Sequence, residues 1–206
     1  MVGMKTVLSI AILATVAAAN AQIVNGTFSG GNTGFTSDYT YDASNLYPEG
    51  YYTVNTDAHN VHGSWSSFGD HTSGDGQMLI VNGSGDDSKA FWKQSVSLAA
   101  NTDYVFSFWG ASTYPVEPAN ILFNIDGVTA GSALLSSTTG AWSQYSMPFH
   151  TGANGNIALS MVDSDVAAFG NDFAVDDLKV QAVPEPASMA ALGVGALGLL
   201  KRRKRA

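Results

Sequence analysis

Trp65, Tyr51, Tyr52, Trp109 and Tyr114 are the side chains of this sequence best suited to holding a neutral sugar. A flat ring lies under the apolar face of a pyranose, while polar neighbours take its hydroxyls. Trp65 stands in a polar loop, where burial is least expected. Trp109 has the opposite phase to Phe106 and Phe108, so it is expected to point outward. Trp92 and Trp142 have apolar company and are expected in the core. Packing is the competing use for each of the five rings. If Trp65, Trp109 and Tyr114 line one exposed groove, binding is favoured; if all three are buried, a structural role is.

Carboxylates are the second set. Asp176-Asp177 lies in a strand, so alternation turns one of the two inward, where a carboxylate is costly without a cation or donors. Asp70, Asp75, Asp86 and Asp87 lie in loops without the alternating ligands and closing Glu of a calcium-binding helix–loop–helix, and read as solvated. His59, His62 and His71, with Asp57, Asp70 and Asp75 nearby, could supply a Zn²⁺ site, but their spacing matches no closed motif. Hydrogen bonding to sugar, or plain surface, suits them better. No nucleophile elbow, H-E-x-x-H or phosphate loop occurs, and Glu49 and Glu117 are the only Glu of the body. Nothing singles out an acid of raised pKa, so the chain is expected not to be an enzyme. Hydrolysis of a glycoside by an Asp pair is the catalytic alternative.

These residues sit in an acidic body. The 206-residue chain carries a formal charge of −8, and Glu185 is the only acidic residue outside 22–182, where the cations are Lys89, Lys93 and Lys179 alone. Binding nucleic acid through neutralised phosphates is excluded. With no cysteine there is no disulfide framework and no thiolate metal site. Abundant Gly beside aromatic residues points to many turns between strands.

Both ends read as addresses. Met1–Ala21 has Lys5, an apolar run from Val7 to Ala19 and the triplet Ala19-Asn20-Ala21, the pattern of a cleaved signal peptide. Met4 is an alternative start. At the other end Val183-Pro184-Glu185-Pro186 is followed by the apolar run Ala187–Leu200 and the block Lys201–Arg205. Apolar sequence stopped by positive charge reads as a membrane segment with its basic end in the cytoplasm. It is short of the roughly 20 residues of a full span. The organisation is thus a signal peptide at 1–21, one domain at 22–182, and at 183–206 a sorting segment with a short transmembrane helix.

The domain has no helical period. Ile23–Phe28 is expected to open with a short strand broken at Asn25-Gly26, and Phe35–Tyr41 alternates loosely; strands are expected at Tyr51–Asn55, Gln77–Val81, Ala90–Leu98, Asp103–Ala111, Asn120–Asp126, Trp142–Phe149, Asn156–Val162 and Asp172–Val180. Phe173 and Val175 are out of phase with Leu178 and Val180, which a bulge at Asp176-Asp177 reconciles. The fold class expected from these strands is an all-β sandwich or barrel, and the resemblance of the body given below narrows it to a jelly-roll β-sandwich.

The tail resembles the PEP-CTERM sorting signal of Gram-negative bacteria in Val183-Pro184-Glu185-Pro186-Ala187-Ser188, the run to Leu200 and the basic block. The resemblance implies transit through the inner membrane and processing by an exosortase. It also implies a final place on the cell surface or in the matrix, with a tie to exopolysaccharide and biofilm. The body resembles galactose-binding-like jelly rolls, including carbohydrate-binding modules, in Val24–Phe28, Gly76–Gly83, Trp92–Val96 and Phe173–Leu178. Tyr51–Gly76 departs from that pattern. The likeness implies a structural Ca²⁺ between the first and last strands, on Asn25, Thr27 and Asp177. The reading is an exported, non-catalytic protein binding extracellular polysaccharide. A matrix protein without sugar binding and a glycoside hydrolase are its alternatives.

Overall fold

The computed structural model describes residues 23–167 and 169–184. The signal peptide, the apolar run and the basic block lie outside the described residues. Ten strands form two sheets: β1 (Thr40–Tyr41), β2 (Tyr51–Asn55), β3 (Met78–Asn82), β4 (Ala90–Ser97), β5 (Asp103–Ser112), β6 (Asn120–Ile125), β7 (Val128–Leu134), β8 (Ser143–His150), β9 (Asn156–Asp163) and β10 (Phe173–Ala182). One sheet runs β1-β2-β3-β10-β5-β8 and the other β4-β9-β6-β7. The all-β sandwich expected from the sequence is what forms. Helix among the described residues is one short 3₁₀ turn, Ala58–Asn60.

Period-2 alternation builds the core. Tyr104, Phe106 and Phe108 of β5 are buried between the sheets, as their shared phase requires. Phe106 stacks on Phe123 of β6 across the core, with ring centroids 4.1 Å apart. Trp92 is wholly buried; Trp142 is half-buried and donates its indole N–H to the Gly69 carbonyl at 3.0 Å.

Two expectations need correction. Ile23–Phe28 is not a strand. Asn25 and Phe28 take left-handed backbone (φ 55° and 52°), and the Asn25 side chain instead braces the glycine-rich loop, donating to the Gly31 and Thr33 carbonyls and accepting from the Gly30 N–H. β7 was expected to be loop. Asp126 and Gly127, both at positive φ, make the tight turn that sends β6 back into it. A turn of that type demands a returning strand, and this was the signal in the sequence.

The bulge in β10 forms where the phase slip places it. The register with β5 shifts between Asp176 and Lys179, and Asp177 takes φ 51°. Leu178 donates its N–H to the Gly26 carbonyl. The chain crosses so closely that a Cβ on Gly26 would lie 2.3 Å from the Leu178 carbonyl oxygen, so glycine alone fits.

The long polar stretch before β3 is not a free loop. It forms a strap over the outer face of the six-stranded sheet. There Leu46, Ala58, Val61 and Trp65 pack with Met78, Ile80 and Ala174 as a second, smaller core. Past Trp65 the strap is held by polar bonds. The backbone N–H groups of His71 and Thr72 and the Thr72 hydroxyl all donate to Asp176 Oδ2 at 3.0 Å. Asp176 is fully buried. Alternation alone would turn one of the two carboxylates into the core; the bulge leaves Asp176 on the outer face instead, buried under the strap and met by these donors. Asp70 organises the next turn, accepting from the Ser73 and Gly76 amides. Burial alone would raise its pKa, but these bonds together hold it below the ordinary carboxylate value.

Asp176→Ala strands those donors. It is expected to cost about 2–3 kcal/mol in urea unfolding and to speed amide hydrogen exchange at His71 and Thr72 well beyond that of β5.

Candidate functional site

Where β3 ends, β5 ends and β10 begins, the sheet opens into a cleft of about 210 Å³. Five segments line it: Tyr47 and Glu49 from the β1–β2 loop, His62, Ser64 and Trp65 from the strap, Asn82 at the end of β3, Tyr114 just past β5, and Phe169–Asp172 leading into β10. The strap's packing places one wall. His62 lies between Tyr47 (4.1 Å) and Trp65 (4.4 Å, interplanar 19°), a stack of three rings. Tyr47 at its outer end is 62% exposed. Phe169, which also lines the cleft and is 65% exposed, meets Tyr114 edge-on at 5.2 Å.

The floor is polar. Asp172 Oδ2 accepts the Trp65 indole N–H at 3.1 Å, and Oδ1 accepts the Gly83 N–H at 3.3 Å. Asn171 lies against Gly83, where a Cβ would come within 2.1 Å of its side-chain amide; this glycine is what admits it. Asn82 donates to the Leu46 carbonyl at 2.6 Å and fixes the loop carrying Tyr47.

Burial pushes Asp172 up to about 7; the Gly83 and Trp65 donors oppose this, and the charge of Glu49 adds to it. Burial likewise raises Asp163 to about 7 and Asp176 to about 6. Burial holds His62 below the ordinary histidine value. The expectation that no acid stands out is therefore corrected: three do, and none was visible without the packing that desolvates them.

The structure divides the five aromatic candidates. Trp65 and Tyr114 belong to the cleft, but Trp65 is 3% exposed and serves as floor, contrary to the expectation from its polar loop. Tyr52 is core, with its hydroxyl donating to Asn32 Oδ1, and Tyr51 is half-buried against the second core. Trp109 does face outward, but His71 stacks on it at 3.7 Å. It lies in a separate shallow groove with Thr27, Ser107, Gln144 and Asp177. Trp65, Trp109 and Tyr114 therefore do not share one groove. The residues that complete the cleft, Tyr47 and Phe169, were missed. Their only signal was an isolated aromatic residue among turn formers, Tyr47-Pro48 and Phe169-Gly170-Asn171.

The three histidines part as well. His59 bonds the Trp65 carbonyl, His62 lines the cleft and His71 meets Asp177 at 2.6 Å. Among the described residues no three His, Asp or Glu gather as a metal-ligand set. Thr27 and Asp177 line one groove, but the Asn25 amide is committed to the glycine loop and Asp177 Oδ2 to His71, while Asp177 Oδ1 competes with Asp176 for the single proton of the Thr72 hydroxyl. A hard cation wants six to eight free oxygens; as arranged, these residues do not fit one.

Residues 182–205 match the PEP-CTERM protein-sorting motif. No curated protein matches the chain. Among solved structures, the xylan-binding CBM22-1 domain of Xyn10C from Paenibacillus barcinonensis is similar, with 14% identity over 82% of this chain and 99% of its own, at a TM-score of 0.53. The Stig cyclase Fisc from Fischerella sp. TAU is similar at 11% identity, 82% and 99% coverage, and a TM-score of 0.57. At such identities the likeness is one of fold alone.

The raised acids fix the sign of a pH effect. Between the unfolded carboxylate value near 4 and about 7, Asp163, Asp172 and Asp176 hold protons in the folded state that the unfolded chain has released. Their contribution is complete below pH 4 and is lost as pH rises through 6 to 7. Asp38, held down first by its hydrogen bond from Lys93, acts oppositely but only below pH 4. Tm is expected to fall from pH 5 to pH 8. Asp163→Asn should flatten that slope in a calorimetric series.

Proposed function

We propose that this chain is an exported protein whose sandwich binds extracellular polysaccharide through the cleft between Tyr47 and Phe169. The observation that carries this reading is the pair of large aromatic side chains left exposed in one cleft that is also lined by Asn82, Asn171 and Asp172. Exposed rings over convergent amides and a carboxylate are what a sugar's two faces require. The fold's likeness to a xylan-binding domain supports the class of ligand. The PEP-CTERM motif supports delivery: an exosortase reads Val183-Pro184-Glu185-Pro186 at the inner membrane and releases the body to the surface or matrix of a Gram-negative bacterium.

Hydrolysis is a second reading with one observation in its favour: Asp172 stays protonated near neutrality beside Glu49. Release of reducing ends from a bound glycan, abolished in Asp172→Asn, would establish it; binding without cleavage leaves a binding module.

On a glycan array, Tyr47→Ala and Phe169→Ala should each weaken retention at least tenfold, with Tm nearly unchanged because both rings are exposed. A blank array for the parent chain would refute the binding reading. Replacing Pro184, Glu185 and Pro186 together by alanine should leave an uncleaved, membrane-associated chain on immunoblots of fractionated cells.

A further inference from the structure

The cleft is negative as well as aromatic. Glu49 and Asp172 both line it, close enough for the Glu49 charge to act on Asp172. Among the described residues no Lys or Arg lines it. The cations of the body are engaged or placed elsewhere: Lys89 pairs with Asp86, Lys93 with Asp38, and Lys179 lines the Trp109 groove. His62, the one other titratable cation at the cleft, is kept neutral by burial. The Glu49 charge and the carboxyl of Asp172 thus share a concave site with Tyr47 and Phe169 and no described counter-charge. Aromatic faces attract cations through their quadrupole, most strongly where water is displaced. A neutral glycan would fill the rings and leave the Glu49 charge without a partner. An anionic uronic acid would add a second negative charge.

We propose that the preferred ligand of this cleft is a cationic amino sugar, a glucosamine-type residue bearing a free ammonium between Glu49 and Asp172. This rests on the reading of the cleft as a sugar site and adds the charge of the sugar. The ring stacks on Tyr47 or Phe169. The ammonium replaces the missing counter-charge and draws Asp172 into its ionised form, so binding near pH 7 releases a proton from that carboxyl.

The test is isothermal titration of the full chain in a non-glycosidic detergent at pH 7. The ligands are glucosamine tetramer, N-acetylglucosamine tetramer and xylotetraose, each in two buffers of different ionisation enthalpy. The glucosamine tetramer should bind at least tenfold tighter than its acetylated form and weaken with salt, and its heat should depend on the buffer as proton release requires. Glu49→Gln, at an exposed position, should narrow the preference several-fold, and Asp75→Asn, exposed and outside the cleft, should not. Binding of xylotetraose or the acetylated tetramer equal to or tighter than that of the amino form overturns the charge preference and leaves the sugar site standing. Failure of all three ligands to bind overturns both.

Discussion

A stretch of strand buried on both faces has no solvent side on which to place a charge, and Phe173–Asp176 at the start of β10 is such a stretch. One face joins the core between the sheets; the other lies under the strap through Ala174 and Asp176. Its carboxylate at Asp176 survives there because the strap brings two backbone N–H groups and a hydroxyl to it. The dependence runs both ways, since few apolar residues hold the strap past Trp65. The same ion-sized site ties sheet, strap and bulge together, and Gly26 closes the bulge from the N-terminal side.

The cleft is a by-product of that covering. The strap seals the outer face only as far as His62 and Trp65, and beyond them the ends of β3, β5 and β10 remain open. Trp65 is the joint between the two regions. Its ring belongs to the second core, while its N–H reaches Asp172 on the cleft floor. Burial raises Asp172, and the indole N–H works against that shift. Structure and candidate function meet in one residue, so removing Trp65 would disturb both, whereas Tyr47 and Phe169 can be changed separately.

Much was legible from residue order. The phase slip in Phe173–Val180 announced the bulge, and the alternation in Tyr104–Phe108 announced the core face of β5. Asp126-Gly127 announced a hairpin whose second strand went unread, because Val128–Leu134 is exposed and rich in small residues, without the alternation that marks a half-buried strand. Trp65 was misplaced for a related reason. A polar neighbourhood in sequence says little about burial when the segment folds across a sheet face that is distant in the chain.

Local physics settled what the sequence decided alone: strands from period-2 patterns, turns from Asn, Asp and Gly, an acidic cysteine-free body, and a sorting motif at residues 182–205 read from three contiguous unlike elements. Tertiary structure alone decided which aromatic rings remain exposed and which carboxylates lose their water. Both depend on what covers a residue. Here the cover comes from segments as far apart as Trp65 and Asp172, a pairing that no local pattern encodes.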